Sequence, residues 1–493
     1  MAQAFDARLT WIQHLAPSGE MAIATQGDIS AYPLLTMIEK FTNDSRPIEI
    51  IHKKGVSKSE FTPLDPEEYT RLRSKLIVYI VSTREPSFAI RRKLSSLGQE
   101  VTGEYSVLSS WNNPRWFIPQ TRSLSFGKMS GMIKPTRPVA QAAVFAFRIL
   151  RSIGLHSFIF PCRLFLVRRY HEIDNHTNSQ HDGFNNWWKS FKLAPGILYT
   201  GSYGPLQKFT VELLSETEKT IAYSKFGHDY LTNEAIKREY NALKQLEKIT
   251  IPKINVPSII DYKIMPITGD TILTQTNISD GKQVQSISNE LVDSLVNLFL
   301  HTSNGSKINI DEYTNYMILD IENFINEVFI NDLVGYCKII IKALKKIKAQ
   351  SGAKNIPLST SHGDMTRWNI TMKNSCLQLF DWEEVKMRPP GHDLLNFFFT
   401  ENLLVRNLPE EKIAAISLDI CLKQHHKHIF RYFEKLSTPE INYKIYLILF
   451  WAEIARLNLW HVIRHCMNNY QKKDHLHKII RASAMSCSKL LEF

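Results

Sequence analysis

Apolar positions change their period several times along this chain. Lys75 to Ser82 (KLIVYIVS) is a short run rich in β-branched residues and predicts a strand, after a helix that Asp65 caps and Pro66 opens. SFAIRRKLSSLG, closing on Gly98, predicts a short helix. From Pro138 to Tyr170 an apolar stretch is broken by Arg148, Arg151, Arg163, Arg168 and Arg169, which predicts two amphipathic helices divided at Pro161. His171 to Asn186 is polar and turn-rich and reads as a linker, with a new domain starting near Trp187. Three β-type runs follow (GILYTG, KFTVELLS, KTIAYSKF), then a helix from Asn233 to Leu246 and a β-type segment, DTILTQTNI. From SNELVDSLVNLFL onward the pattern is helical, ending in an aromatic-rich helix after Pro439 that is apolar nearly all round and so reads as core.

One stretch interrupts the helical part: SHGDMTRWNITMKNSCLQLFDWEEVKMRPPGHDLLNFFF. Within it Asn369 to Lys373 and Cys376 to Phe380 predict a hairpin turning at Asn374-Ser375, with a polar loop (His362 to Trp368) before it and Asp381 directly after. The chain therefore divides into a mixed α/β region (1–137), a basic helical segment with linker (138–186), a small β-rich lobe (187–280) and a larger helical lobe (281–493). A junction between two unlike lobes is a natural place for a ligand cleft.

The 493 residues carry 44% hydrophobic and 22% charged side chains, ordinary globular usage that argues against disorder. Six scattered cysteines form no C-x-x-C pair, which disfavours a disulfide framework or zinc ribbon and suits a reducing cytoplasm. No signal peptide and no membrane-spanning run of about 18 or more apolar residues is evident. Sixty lysines and arginines against 48 acids leave +12, and residues 101–170 hold ten basic side chains, eight of them Arg, against the one acid Glu104. Arginine forks suit phosphate and carboxylate oxygens, so this block fits peripheral contact with an anionic membrane or a polyanion, or else a solvated basic face. Nucleic acid is the weaker reading, because no recognised nucleic-acid motif occurs. QHHKH, with His425, His426 and His428, reads as solvated side chains of an exposed basic helix.

The hairpin carries the chemistry. It holds Asp364 in the loop, Asn369 at the start of the first strand and Asp381 at the end of the second. Two oxygen ligands and a free carboxylate are what Mg²⁺-dependent phosphoryl transfer needs, since Mg²⁺ takes few protein oxygens and completes its octahedron with phosphate and water. The free carboxylate orients or deprotonates a hydroxyl.

His362–Asn369 (HGDMTRWN), then Asp381-Trp382-Glu383, then Gly391-His392-Asp393-Leu394 together resemble the signature of the aminoglycoside phosphotransferase and choline kinase family, over residues 190–493. The resemblance implies an α+β, protein-kinase-like bilobal fold with a β-rich N-lobe and a helical C-lobe, behind a separate mixed α/β N-terminal region. It implies Asp364 as catalytic base and Asn369 and Asp381 as Mg²⁺ ligands. His362 and Gly363 would shape the loop and Asp393 would buttress it, while Glu383 is either an assisting or a structural residue. Upstream it implies that ATP phosphates meet a turn at Gly201 and Gly204 and the strand-end Lys225, with Glu239 as partner of that lysine and Glu234 as the runner-up. The G-x-x-G turn falls short of the full glycine-rich loop of protein kinases, which leaves hairpin turn and phosphate loop both open.

The expected activity is thus ATP- and Mg²⁺-dependent transfer to an alcohol of a small molecule or glycan: a sugar, amino alcohol or glycan precursor. An anionic acceptor is favoured, because no acidic tract offers itself to a cationic one. Two other classes stand beside this: a catalytically silent kinase-like scaffold, and a membrane- or polyanion-binding protein regulated by its kinase-like half. A cytoplasmic location, with or without membrane association, fits all three.

Overall fold

In a computed structural model of the chain the described residues are 21–26, 48–53, 63–64, 76–82, 85–107, 116–119, 142, 145–146, 149, 162–169, 193–201, 206–217, 219–265, 269–327, 331–351, 354–424, 426–436, 443–467 and 474–493. The helix expected after Asp65, the linker, Gly204 and His425 lie outside them. The chain divides into two compact units. One is built on Glu234–Ile259 and Ile278–Phe493, the other on the described residues before Glu234 together with Ile260–Asn277.

The second unit is organised by one sheet. Its strands are β1 (Met21–Gln26), β2 (Ile48–Lys53), β3 (Leu76–Ser82), β4 (Gln99–Val107), β5 (Trp116–Pro119), β6 (Cys162–Arg169), β7 (Ala194–Tyr199), β8 (Phe209–Leu214) and β9 (Thr220–Phe226). Helix α1 (Ser87–Ser96) links β3 to β4, helix α2 (Tyr230–Leu246) follows β9, and β11 (Ile259–Ile264) and β12 (Thr271–Thr276) complete the set after the short β10 (Ile254–Asn255) of the other unit. The order is β11-β12-β9-β8-β7-β5-β4-β6-β3-β1-β2. β1 runs parallel to β2 and β3, while the pairs from β3–β6 to β9–β12 are antiparallel. Ile77 to Val81 are all buried, as an interior strand with both faces covered requires, and Ile90 and Leu94 of α1 pack with Ile77, Tyr79 and Val81 on one of those faces.

Two sequence expectations change here. Residues 162–169 do not form a helix: Leu164 to Val167 are buried in β6 between β3 and β4. Four consecutive apolar residues between arginines fit a fully covered strand as well as an amphipathic helix turn, and lateral pairing decides. Strands from both sides of the expected boundary near Trp187 also share the sheet, since β5 pairs with β7 through Trp116 and Tyr199, whose rings stack with centroids 4.2 Å apart. The helix expected at Asn233 starts earlier, because the carboxylate of Asp229 accepts the Thr232 N–H at 2.8 Å and so caps it.

The helical unit carries β13 (Lys282–Gln283), α3 (Asn289–Thr302), β14 (Lys307–Asn309), α4 (Ile310–Glu327) and α5 (Asn331–Ser351). The interruption read from sequence follows as β15 (Asn355–Pro357), β16 (Ser359–Ser361), the hairpin β17 (Ile370–Lys373) and β18 (Cys376–Leu379), and β19 (Lys386–Arg388). Helices α6 (His392–Thr400), α7 (Glu410–Cys421), α8 (Lys427–Lys435), α9 (Tyr443–Met467) and α10 (Asp474–Glu492) complete it. Ser288 caps α3 by accepting the Leu291 N–H at 3.3 Å. Helix α9 buries Leu447 to Ala452 consecutively, in keeping with a helix apolar on all sides. No helix among the described residues is long and apolar enough to cross a membrane.

Candidate active site

The hairpin is built as its residues dictate. Ile370 faces Leu379 and Lys373 faces Cys376, and the two turn residues Asn374 and Ser375 both take positive φ (50° and 61°), the conformation a two-residue hairpin turn needs. β10 and β13 flank the hairpin in a four-stranded sheet that fixes its position in the unit.

The loop ahead of it is held from below by one carboxylate. Asp393, in the first turn of α6, accepts the His362 N–H at 2.9 Å, the Gly363 N–H at 3.0 Å and the Ser361 hydroxyl at 2.8 Å. Burial opposes its ionisation, but the neighbouring imidazoles and these donors outweigh it and hold the carboxyl well below the usual carboxylate range. Gly363 has φ +84°, and a Cβ there would strike the Glu384 carbonyl oxygen and lie 2.6 Å from Arg388 Nη1. His362 is fully buried: it offers Nδ1 to the Asp364 N–H at 3.3 Å, so its Nε2 donates to the Phe380 carbonyl at 3.0 Å. Trp382 packs against its ring at 4.7 Å between centroids.

Asp364 is thereby presented on a loop held by hydrogen bonds at His362 and Gly363. Asn369 donates from Nδ2 both to the Asp364 carbonyl (2.9 Å) and to Asp364 Oδ2 (2.8 Å), which leaves Oδ1 without a hydrogen bond among the described residues. Burial pushes the Asp364 carboxyl up to about 6; His362 opposes the rise, and the carboxylates of Asp381 and Glu384 add to it. Asp381 sits in the left-handed region (φ 72°), where the chain turns from β18 into the short helical turn Trp382–Glu384. Glu383 lies on that turn, half-buried, and its carbonyl accepts the Arg238 Nε–H at 3.1 Å.

The structure thus brings together Asp364, Asn369, His362, Gly363 and Asp393 by hydrogen bonds, and places Asp381 close enough for its charge to push the Asp364 carboxyl up. Among the described residues no group of three or more His, Cys, Asp or Glu is arranged to hold a metal ion. What this site offers is an Asn amide oxygen and an Asp carboxylate. These are hard oxygen donors beside a concentration of negative charge that a divalent cation would relieve, a set that fits Mg²⁺ completed by phosphate oxygens.

The remaining sequence-predicted residues are placed in their own units. Gly201 (φ +73°) lies just after β7, where a Cβ would lie 2.8 Å from the Lys208 carbonyl oxygen, so the position demands glycine. Lys225 lies on β9 opposite Thr210 of β8 and Leu273 of β12 and is a buried strand lysine, only 7% exposed. Glu239 of α2 is fully buried in the helical unit, whereas Glu234 is half-buried and 3.6 Å from Lys237.

Several supporting residues escaped the sequence reading. Asn396 donates to the Gly363 carbonyl at 3.3 Å, one turn beyond Asp393 on the same helix, a spacing that is readable once that helix is granted. Arg388, almost wholly buried, donates to the Glu384 carbonyl at 3.0 Å and lies 3.5 Å from Glu453 of α9. Arg367 pairs with Glu401 at 3.2 Å. The last two contacts join segments far apart in sequence, so no local pattern announces them.

No protein-family model matches the chain, and no curated protein matches it. Among solved structures it is similar to a thermostable mutant of the aminoglycoside phosphotransferase APH(4)-Ia (12% identity, 61% of this chain and 97% of that one, TM-score 0.43). It is also similar to the choline kinase LicA from Streptococcus pneumoniae (12% identity, 63% and 97%, TM-score 0.41). A third is the amicoumacin kinase hAmiN, solved with AMP-PNP, Ca²⁺ and Ami (10% identity, 61% and 89%, TM-score 0.40). These are likenesses at low identity and low superposition score, and the function proposed below rests on this chain's own residues.

Proposed function

We propose that the protein is a phosphotransferase that moves the terminal phosphoryl group of ATP to a hydroxyl of a small molecule or glycan. The observation that carries this reading is the loop and hairpin around Asp364: a carboxylate with one free oxygen and raised basicity, on a loop pinned by Asp393, beside the oxygen donors of Asn369 and Asp381.

Asp364 Oδ1 receives the proton of the acceptor hydroxyl as the new O–P bond forms and the bond from that phosphorus to the bridging oxygen breaks, ADP leaving with the electron pair; a carboxyl raised by burial draws that proton more strongly than an ordinary one. Asn369 keeps the other oxygen occupied, so the base has one orientation. Asn369 and Asp381 are the residues that would hold Mg²⁺, which when bound offsets negative charge on the phosphates. Lys225 and the turn at Gly201 are the candidate phosphate contacts, and Glu239 the candidate partner of the lysine.

Replacing Asp364 or Asp381 with Asn tests the assignment. Each substitution keeps size while removing the base or the anionic ligand, and each is expected to lower ATP-dependent transfer by roughly 10²–10⁴-fold with an unchanged circular dichroism spectrum. Wild-type transfer in either variant would refute the roles given to these residues.

A further inference from the structure

A cavity of about 540 Å³ opens in the helical unit, in the range that encloses a small organic ligand. Its apolar part comes from Phe397 and Phe398 of α6, Ile287 ahead of α3, and Ile429 and Phe430 of α8. Its polar part is overwhelmingly basic: Arg406, Lys423 and Lys427, with His426 and His428. The one acid in the lining among the described residues, Glu401, is already paired with Arg367, three residues beyond Asp364, so the cavity is one ion pair away from the loop that carries Asp364.

Three further observations mark it as a built site. Glu401–Val405 is a π-helical turn, in which the Arg406 N–H bonds back to the Glu401 carbonyl at 2.9 Å, and such bulges concentrate where side chains are re-aimed for function. The Nδ1 of His428 is buried without a hydrogen-bond partner among the described residues. Neither the Arg406 nor the Lys427 side chain has an ion-pair or hydrogen-bond partner among the described residues, whereas the Lys423 ammonium lies 5.3 Å from the centre of the Tyr443 ring. Of the histidines that sequence reads as solvated, His426 and His428 are instead half-buried here, His426 edge-on to Phe398 at 5.2 Å.

We propose that this cavity binds the acceptor, and that the acceptor is a hydroxyl compound with an anionic group on an apolar or aromatic body. This rests on the phosphotransferase reading of the neighbouring loop. The rings and Ile287 take the apolar body, while Arg406 and Lys427 take the carboxylate, sulfonate or phosphate. A cationic amino alcohol faces a lining of net positive charge there, since Glu401 is committed to Arg367.

The test uses the full chain and two dyes of nearly the same shape, 8-anilinonaphthalene-1-sulfonate and its uncharged analogue N-phenyl-1-naphthylamine, titrated by fluorescence. The sulfonate should bind about ten-fold or more tightly than the neutral dye, the effect of one favourable charged contact. Arg406→Gln and Lys427→Gln, both at exposed positions and so harmless to the core, should each reduce the preference several-fold and leave the neutral dye's affinity alone. In parallel, ADP release from Mg·ATP is measured over anionic, neutral and cationic hydroxyl compounds of matched size, and should be fastest with the anionic set. Equal affinity for the two dyes, a preference untouched in both variants, or ADP release confined to cationic amino alcohols would overturn the proposal. Charge-dependent dye binding with no ADP release from any acceptor would support the pocket's preference for anions and overturn the phosphotransferase reading instead.

Discussion

At the scale of single residues, the site depends on groups that permit or pin a backbone rather than on those that face a substrate. Gly363 is the sharpest case. Its positive φ and the Glu384 carbonyl against its face leave no room for a methyl group, and that carbonyl is itself held by buried Arg388. Gly363→Ala is therefore expected to cost about 1–3 kcal/mol in chemical denaturation and to lower transfer through displacement of Asp364, although Gly363 itself bears no reacting group. Stability equal to wild type would show that the loop yields. The residues proposed to carry the chemistry stand close in sequence, eight positions containing His362, Gly363, Asp364 and Asn369, and that proximity made them readable as a candidate group. Arg388 and Glu453 were not, since their pairing brings together residues on β19 and α9 and follows from packing alone.

At the scale of elements, local rules predicted much and failed for stated reasons. The hairpin at Asn374-Ser375 was readable, because two strand-like runs separated by two turn residues admit few other conformations. Its second turn residue is not the most favourable one: Ser375 pays for φ 61° that glycine adopts freely. Ser375→Gly should raise unfolding stability by about 0.5–1 kcal/mol, read as a shift in the denaturation midpoint with unchanged slope. The strand β6 was misread as helical because its four buried residues are too few to fix a period, and only its neighbours β3 and β4 decide the matter. The end of α2 was placed correctly and its start was not, since the capping side chain belongs to Asp229, outside the apolar repeat.

At the scale of the molecule, two features reach beyond any segment. The first is the sheet that joins β5 to β7. A chain beginning at residue 187 would lose β5 and leave β7 with an unpaired edge, so it is expected to aggregate where the full chain does not, as gel filtration would show. A monodisperse truncated chain would mean that the β-rich lobe is self-sufficient. The second is the buried ion-pair network of the helical unit, in which Glu453 lies 2.8 Å from Arg456 and 3.5 Å from Arg388, and Arg456 also reaches Asp320 at 2.8 Å. Burial opposes the charge of Glu453, but the two arginines outweigh it and bring its carboxyl down from 4.5 to about 2. A depressed folded-state value stabilises the fold above the unfolded one, so this contribution is full above about 4.5 and drains as the pH falls towards 2. Glu453→Gln strands buried Arg388, and should cost about 3–5 kcal/mol at neutral pH and flatten the loss of stability in that acid window. A variant with wild-type stability and wild-type acid sensitivity would remove the network from the account.

The sequence by itself determined the hairpin from Ile370 to Leu379, marked the loop ahead of it as the candidate site, and announced the succession of a β-rich part by a helical one. Each of these depends on short-range spacing, turn residues and hydrophobic period, which are properties of neighbours along the chain. Only the tertiary structure decided that strands on both sides of residue 187 share a sheet, that Lys225 is buried, and that Arg388 stands under Gly363. It alone gathered Arg406, Lys423 and Lys427 around one cavity. Those relations are set by hydrogen bonds between strands, by the desolvation of charges and by packing across helices, and they join residues the chain keeps far apart.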